Sequence, residues 1–256
     1  MVWYPLALAA TKPSMSTWTD GGIMGNTAEL LKGVDLFSSL SDEQIEIIAQ
    51  VAVEKEYKKD ENIIIEDDDT NHGFFLIAEG EVKVFLCGSD GRETILSLLG
   101  NGDFFGEMSL IDGEPRSASV KATMTSRLIS IRREDFLLEM ERFPDLAMSM
   151  MTELCHRIRK ANKQISSLAT LSVFGRIAGT LESLAEERGK YMTMETGRSV
   201  IVIHHKPTQQ QLAEMSGTTR ETVSRVLTQL KQRGTISMAG KDLFILEPGE
   251  LTKKEG

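Results

Sequence analysis

Only two cysteines, Cys87 and Cys155, occur in the 256 residues, far apart and without Cys-x-x-Cys spacing. That excludes a disulfide framework, a zinc ribbon and a sequence-local iron–sulfur motif, and a reduced cytosol is the expected setting. Long apolar runs are missing as well, and no segment approaches the roughly 20 residues that a membrane-spanning helix needs. Residues 3–10 are apolar, but no Lys or Arg precedes them, so the positive region that opens a secretory signal is lacking. Disorder is the expectation for residues 1–25. Enzyme signatures are wanting too: there is no nucleophile elbow, no motif of paired catalytic carboxylates and no Walker loop.

What is present is an ordinary globular balance, 41% hydrophobic and 26% charged, on a chain long enough for two modest cores. The net charge of −9 is unevenly placed. Residues 172–256 carry 12 Lys and Arg against 10 Asp and Glu, whereas residues 1–171 carry 17 against 28. Within residues 196–241 the count is 7 against 2. A locally basic surface on an acidic chain suits a DNA reader joined to a small-molecule sensor.

Residues 26–53 have a helical pattern, with Ser41-Asp42-Glu43 capping a helix that carries Ile45 and Ile48. From Tyr57 the period shortens. Strands are expected at 62–66, 73–78, 81–86, 94–99, 117–122 and 126–131, separated by turns rich in Gly, Asp and Asn. So many short strands predict a jelly-roll or barrel. Helical periodicity returns at 133–143, and Pro144 opens a further helix. There Ala147, Met151, Leu154, Ile158, Ala161, Ile165 and Leu168 recur at alternating steps of four and three. This heptad predicts a parallel two-stranded coiled coil, and hence a homodimer, the other reading being a helix packed on its own domain. A helix at 173–187, a strand at 199–204, two helices within 208–232 and a hairpin of 236–238 with 243–246 complete the chain. The expected fold class is α+β: a sensor domain at 26–143, a dimerisation helix at 144–171 and a second domain at 172–256.

The most specific segment of the first domain is Gly102-Asp103-Phe104-Phe105-Gly106-Glu107-Met108-Ser109-Leu110, followed by Pro115-Arg116-Ser117-Ala118-Ser119-Val120. Gly106 permits close backbone approach, and the short turn after it can aim amide N–H groups at an anion. Arg116 offers a fork for phosphate oxygens, while Glu107 can accept from a sugar hydroxyl. The segment resembles the phosphate-binding cassette of cyclic-nucleotide-binding domains, as in the bacterial cyclic-AMP receptor family and protein kinase A regulatory subunits. That resemblance implies Glu107 on a ribose 2′-hydroxyl and Arg116, Ser117, Ala118 and amides near Gly106 and Met108 on a cyclic phosphate. It also implies Val84, Leu96 and Leu99 along the base. A Thr-Ser pair of the bacterial receptor that reaches adenine corresponds here to Ala161 and Asn162. Ala161 has no side-chain hydrogen bond to give, and Asn162 suits either purine. Cyclic AMP is the first expectation for the effector and cyclic GMP the second, the latter through Ser117. No metal is expected.

Residues 208–227 meet the local demands of a helix-turn-helix. Thr208 and Gln211 form a capping box, Ala213 is small where two helices would cross, Gly217 permits the turn, and Thr218 or Thr219 caps a recognition helix. Its outward residues are Arg220, Glu221, Ser224 and Arg225. Arg can grip guanine N7 and O6, and Glu can accept from cytosine N4. Sensor, long helix and winged reader, in that order, resemble the bacterial CRP/FNR regulators over residues 33–246. The resemblance implies a DNA surface that includes Lys206, Thr208, Gln209 and Thr219, an inverted-repeat operator, RNA polymerase as a partner and no membrane. The oxygen-sensing branch would need a cysteine cluster that the chain lacks. Cys87, His72 and His156 are unmarked as haem ligands. Control by cyclic di-GMP, redox or haem stays open within the family, and a regulatory subunit of a partner enzyme is the reading outside it.

Overall fold

The computed structural model describes residues 25–69, 73–193 and 199–251. Expectations for residues 1–24 and for His72 lie outside these. Two short helices, α1 (Gly25–Lys32) and α2 (Asp42–Gln50), precede the strands. The predicted cap on α2 is present as a full box: Ser41 Oγ accepts from Gln44 N, and Gln44 Oε1 accepts from Ser41 N.

Eight strands follow: β1 (Ala52–Tyr57), β2 (Asn62–Ile64), β3 (Phe74–Glu79), β4 (Val82–Cys87), β5 (Glu93–Leu99), β6 (Phe104–Phe105), β7 (Ser119–Ala122) and β8 (Ser126–Ile131). They form two four-stranded sheets in the orders β1-β8-β3-β6 and β2-β7-β4-β5, the jelly-roll architecture that the strand spacing predicted. β3 is buried on both faces, which accounts for its unbroken apolar run. On one face Phe74, Leu76 and Ala78 join a core with α1, α2 and the helices α4 (Arg133–Arg142) and α5 (Pro144–Thr170). Between β6 and β7 lies a further helix, α3 (Glu107–Asp112), where the sequence predicted a turn. Six residues are too few to show a helical period.

β1 corrects the reading of residues 26–53 as helical throughout. Four of its six residues are exposed, so its sequence carries no apolar alternation, yet all six pair antiparallel with β8. α5 also differs in part from the heptad reading. Leu146 and Met150, outside the predicted seam, are its fully buried residues, and Leu154, within the seam, packs against the core that α1, α2 and β3 share. Its opening turns therefore do pack on their own domain. Further along, Met151, Ile158, Ile165 and Leu168 stand 49–64% exposed, while Ala147 is half-buried and Ala161 exposed.

The C-terminal region contains α6 (Val173–Arg188), β9 (Lys190–Thr193), β10 (Ser199–Ile203), α7 (Gln209–Ser216), α8 (Arg220–Gln232), β11 (Ile236–Ala239) and β12 (Asp242–Ile245). Its sheet runs β11-β12-β10-β9, and the β11–β12 hairpin is the predicted wing. β9, wholly exposed at the sheet edge, went unpredicted for the same reason as β1. The described residues fall into two compact units, one from those within 1–82 and 99–154, the other from those within 83–98 and 155–256. In the second unit Phe85, Ile95 and Leu98 of the β4–β5 hairpin form an apolar cluster against which Met215 packs.

Candidate functional site

Gly106 is the N-cap of α3 and sits at φ +87°, a conformation that L side chains rarely adopt. A Cβ there would stand 2.7 Å from Gly73 O and 2.8 Å from Arg116 Nη1, so the chain has room only for glycine. Arg116 reaches this point from beyond α3 and is 3% exposed. Its Nη1 donates to Gly106 O (3.0 Å) and its Nη2 to Gly73 O (2.8 Å). Its Nε is buried and has no hydrogen-bond partner among the described residues. The backbone of Arg116 is fixed as well: its N–H donates to Asp68 O (3.0 Å), and its carbonyl accepts from Asp67 N (2.9 Å). Burial pushes the guanidinium pKa down from its ordinary value, and the charges of Asp68 and Glu107 oppose this.

Glu107, first residue of α3, is itself buried, so the sequence-predicted anion donor and acceptor meet within one cassette. Met108 and Ser117 come together too, with Ser117 Oγ donating to Met108 Sδ (3.4 Å) on an exposed flank, while Ala118 is buried. Three other contributors join the site, Gly73 and Phe75 from outside the cassette and Ser109 from within it. Gly73 supplies a carbonyl from 43 positions away, Phe75 places its ring 6.0 Å from Arg116 Cζ, and Ser109 Oγ is a second buried polar atom without a partner among the described residues. A buried cation with a free N–H fits a group that carries negative charge. Leu99 is half-buried at the end of β5. Val84 (half-buried), Leu96 (38% exposed) and Asn162 (exposed) fall in the second unit.

In the C-terminal region, Thr208 and Gln211 form the predicted capping box, with Thr208 exposed and Gln209 half-buried at the start of α7. Gly217 adopts φ +59°. Of the two candidate threonines Thr219 is the N-cap, its Oγ1 accepting from Thr222 N (3.3 Å). Val223, Val226, Leu227 and Leu230 form the inner face of α8. Arg220, Glu221 and Arg225 are exposed and Ser224 half-buried. Hydrogen bonds from its own backbone N–H and from the Thr219 side chain, helped by Arg220 and Arg225, hold the Glu221 carboxyl below the usual range. Arg225 Nη2 donates to Thr222 Oγ1 (3.2 Å), which lies 3.0 Å from Thr219 Oγ1. Lys206 is half-buried: its N–H donates to Lys241 O (2.8 Å), and its ammonium donates to Gly240 O at the wing tip. Among the described residues no helix is long and apolar enough to cross a membrane, and no cluster of three or more His, Cys, Asp or Glu could hold a metal ion.

Two family models match the chain, the cyclic nucleotide-binding domain over residues 54–143 and the Crp-like helix-turn-helix domain over residues 175–254. The cyclic AMP receptor protein of Thermus thermophilus is 32% identical over 208 residues, which is 81% of this chain and 90% of that one. Among solved structures, a CooA variant from Carboxydothermus hydrogenoformans has a TM-score of 0.68 at 21% identity, covering 85% of this chain and 92% of its own. The c-di-GMP responsive regulator CLP of Xanthomonas campestris has a TM-score of 0.65 at 23% identity, covering 80% and 99%. These two likenesses are of fold alone. Barrel, cassette and winged reader, matched in this order, make the chain a member of the CRP/FNR family of DNA-binding transcription regulators.

Proposed function

We propose that the chain acts as a homodimer whose sequence-specific DNA binding is controlled by a cyclic nucleotide. The observation that carries this reading is the buried Arg116 guanidinium, with one donor unpartnered among the described residues, beside Glu107 and the left-handed Gly106. A cyclic phosphate would take the free Nε–H, or displace the Gly73 or Gly106 carbonyl from a terminal nitrogen. Ser117 and the amides of Met108 and Ala118 would complete its shell, with Glu107 on the ribose 2′-hydroxyl. Val84, Leu96, Leu99 and Asn162 are the proposed base contacts. Cyclic AMP ranks first, in line with the Thermus relative, and cyclic GMP second, since Ala161 lacks a polar group and Asn162 serves either purine.

The proposed boundaries are a sensor at 26–143, a dimerisation helix at 144–171 and a reader at 172–256. The exposed apolar side chains Met151, Ile158, Ile165 and Leu168 support pairing along α5. Arg220, Glu221, Ser224 and Arg225 would read bases, and Lys206, Thr208, Gln209 and Thr219 would meet the backbone. RNA polymerase is the proposed protein partner at the promoter. Calorimetry against cyclic AMP, cyclic GMP and cyclic di-GMP tests the effector. Binding of one mononucleotide, lost in Arg116→Leu, is expected; binding of cyclic di-GMP alone, or of none of the three, overturns it.

A further inference from the structure

Arg176, on the first turn of α6, makes an arrangement that effector binding and base reading leave unexplained. Its Nε donates to Ser216 O (2.9 Å), its Nη2 to Gly217 O (3.1 Å) and its Nη1 to Leu171 O (3.4 Å). Two of these carbonyls belong to the turn of the helix-turn-helix, and the third follows the last residue of α5. Helix ends leave carbonyls without intrahelical partners, and one guanidinium serves both ends here. All three bonds go to backbone carbonyls, so its role is to hold backbone and not to neutralise charge. Neighbouring contacts tighten the same junction. Thr180 Oγ1, one turn on in α6, lies 3.0 Å from the buried Ser216 Oγ. A Cβ on Gly217 would stand 3.3 Å from Leu168 Cδ2, so the end of α5 lies close against the turn.

We infer that Arg176 is a positioning residue that ties the end of α5 to the turn that orients α8, and so carries changes in α5 to the DNA-reading face. Among the described residues its side-chain hydrogen bonds reach neither the proposed effector residues nor the exposed face of α8. This rests on the proposed control by nucleotide, because a coupling residue needs two linked events to couple. Such coupling is reciprocal: whatever factor the nucleotide contributes to DNA affinity, DNA contributes to nucleotide affinity.

The test uses the full-length protein as wild type, Arg176→Met and Arg176→Lys. Hydrogen exchange is followed at residues 168–172 and 216–222, and DNA affinity is measured with and without saturating cyclic AMP and cyclic GMP. In Arg176→Met both segments should exchange faster together. A wild-type nucleotide effect in the usual range of about 5–150-fold should fall to within about twofold of unity. Nucleotide affinity in the absence of DNA should stay at the wild-type value. Arg176→Lys, able to hold fewer carbonyls at once, should recover part of the effect. Unchanged exchange in Arg176→Met overturns the inference. So does a DNA affinity that falls by the same factor with and without nucleotide, together with a lower melting temperature, since that marks a merely structural residue. If wild-type DNA binding ignores both nucleotides, the effector reading has failed instead, and the exchange data alone decide whether Arg176 joins the two segments.

Discussion

A guanidinium is costly to bury unless its nitrogens are met, and both terminal nitrogens of Arg116 donate to backbone carbonyls while its buried Nε–H has no partner among the described residues. Arg116→Leu relieves that burial but leaves the Gly73 and Gly106 carbonyls without their donor, so the protein should still fold, with a modestly lower melting temperature. It should lose nucleotide affinity by about 2–5 kcal/mol, more than tenfold, as read by calorimetry. Gly106→Ala acts on the same point by sterics. At φ +87° an added Cβ costs about 1–2 kcal/mol, and it would also press on Gly73 O and Arg116 Nη1. Thermal unfolding should shift down and nucleotide binding should weaken in the same variant. Glu107→Ala should weaken ribonucleotides and reduce discrimination against a 2′-deoxy analogue; equal losses for both sugars would remove Glu107 from the ribose.

Among the elements, α5 carries the sharpest prediction. Ile158 is 60% exposed, and Ile158→Glu would set like charges against each other across the proposed two-fold seam. Sedimentation should show monomer, with DNA affinity falling in step; a fully dimeric variant would place the interface elsewhere. The helix also shows what sequence periodicity can and cannot convey. Its heptad was legible because apolar side chains recur every three or four residues. That Leu154 turns to the sensor core was not, since a seam residue and a core residue have the same chemistry. Strands with a buried face, such as β3 and β8, were legible for their apolar runs. β1 and β9 were not, because an edge strand is held by its partner's hydrogen bonds and not by its own side chains. Local chemistry fared best: the Thr208 box, the Gly217 turn and the Thr219 cap lie within a few residues of their partners. The Arg116–Gly73 and Arg176–Ser216 bonds span 43 and 40 positions, and no local pattern announces them.

For the whole molecule, an acidic sensor region and a more basic reader region imply DNA binding that weakens steeply with salt. The proposed two-fold symmetry demands an inverted repeat, with half-sites about one helical turn apart (~34 Å) so that both recognition helices meet the groove on one face. Arg225→Ala should cost about 1–3 kcal/mol per half-site and relax discrimination at one G·C pair. Lys206→Ala, whose ammonium sits on the wing tip, should weaken all sequences alike. The most direct measurement is selection of random duplex DNA by the wild-type protein, run in parallel with cyclic AMP, with cyclic GMP and with neither. Because Glu221 and Arg225 resemble the base-reading residues of both branches of the family, and Arg220 adds a second guanine contact, the account predicts inverted repeats with a TGA-like core, GTGA favoured over TTGA, enriched strongly only when one of the nucleotides is present. Non-palindromic sites, palindromes without that core, or the same enrichment in all three arms would contradict it.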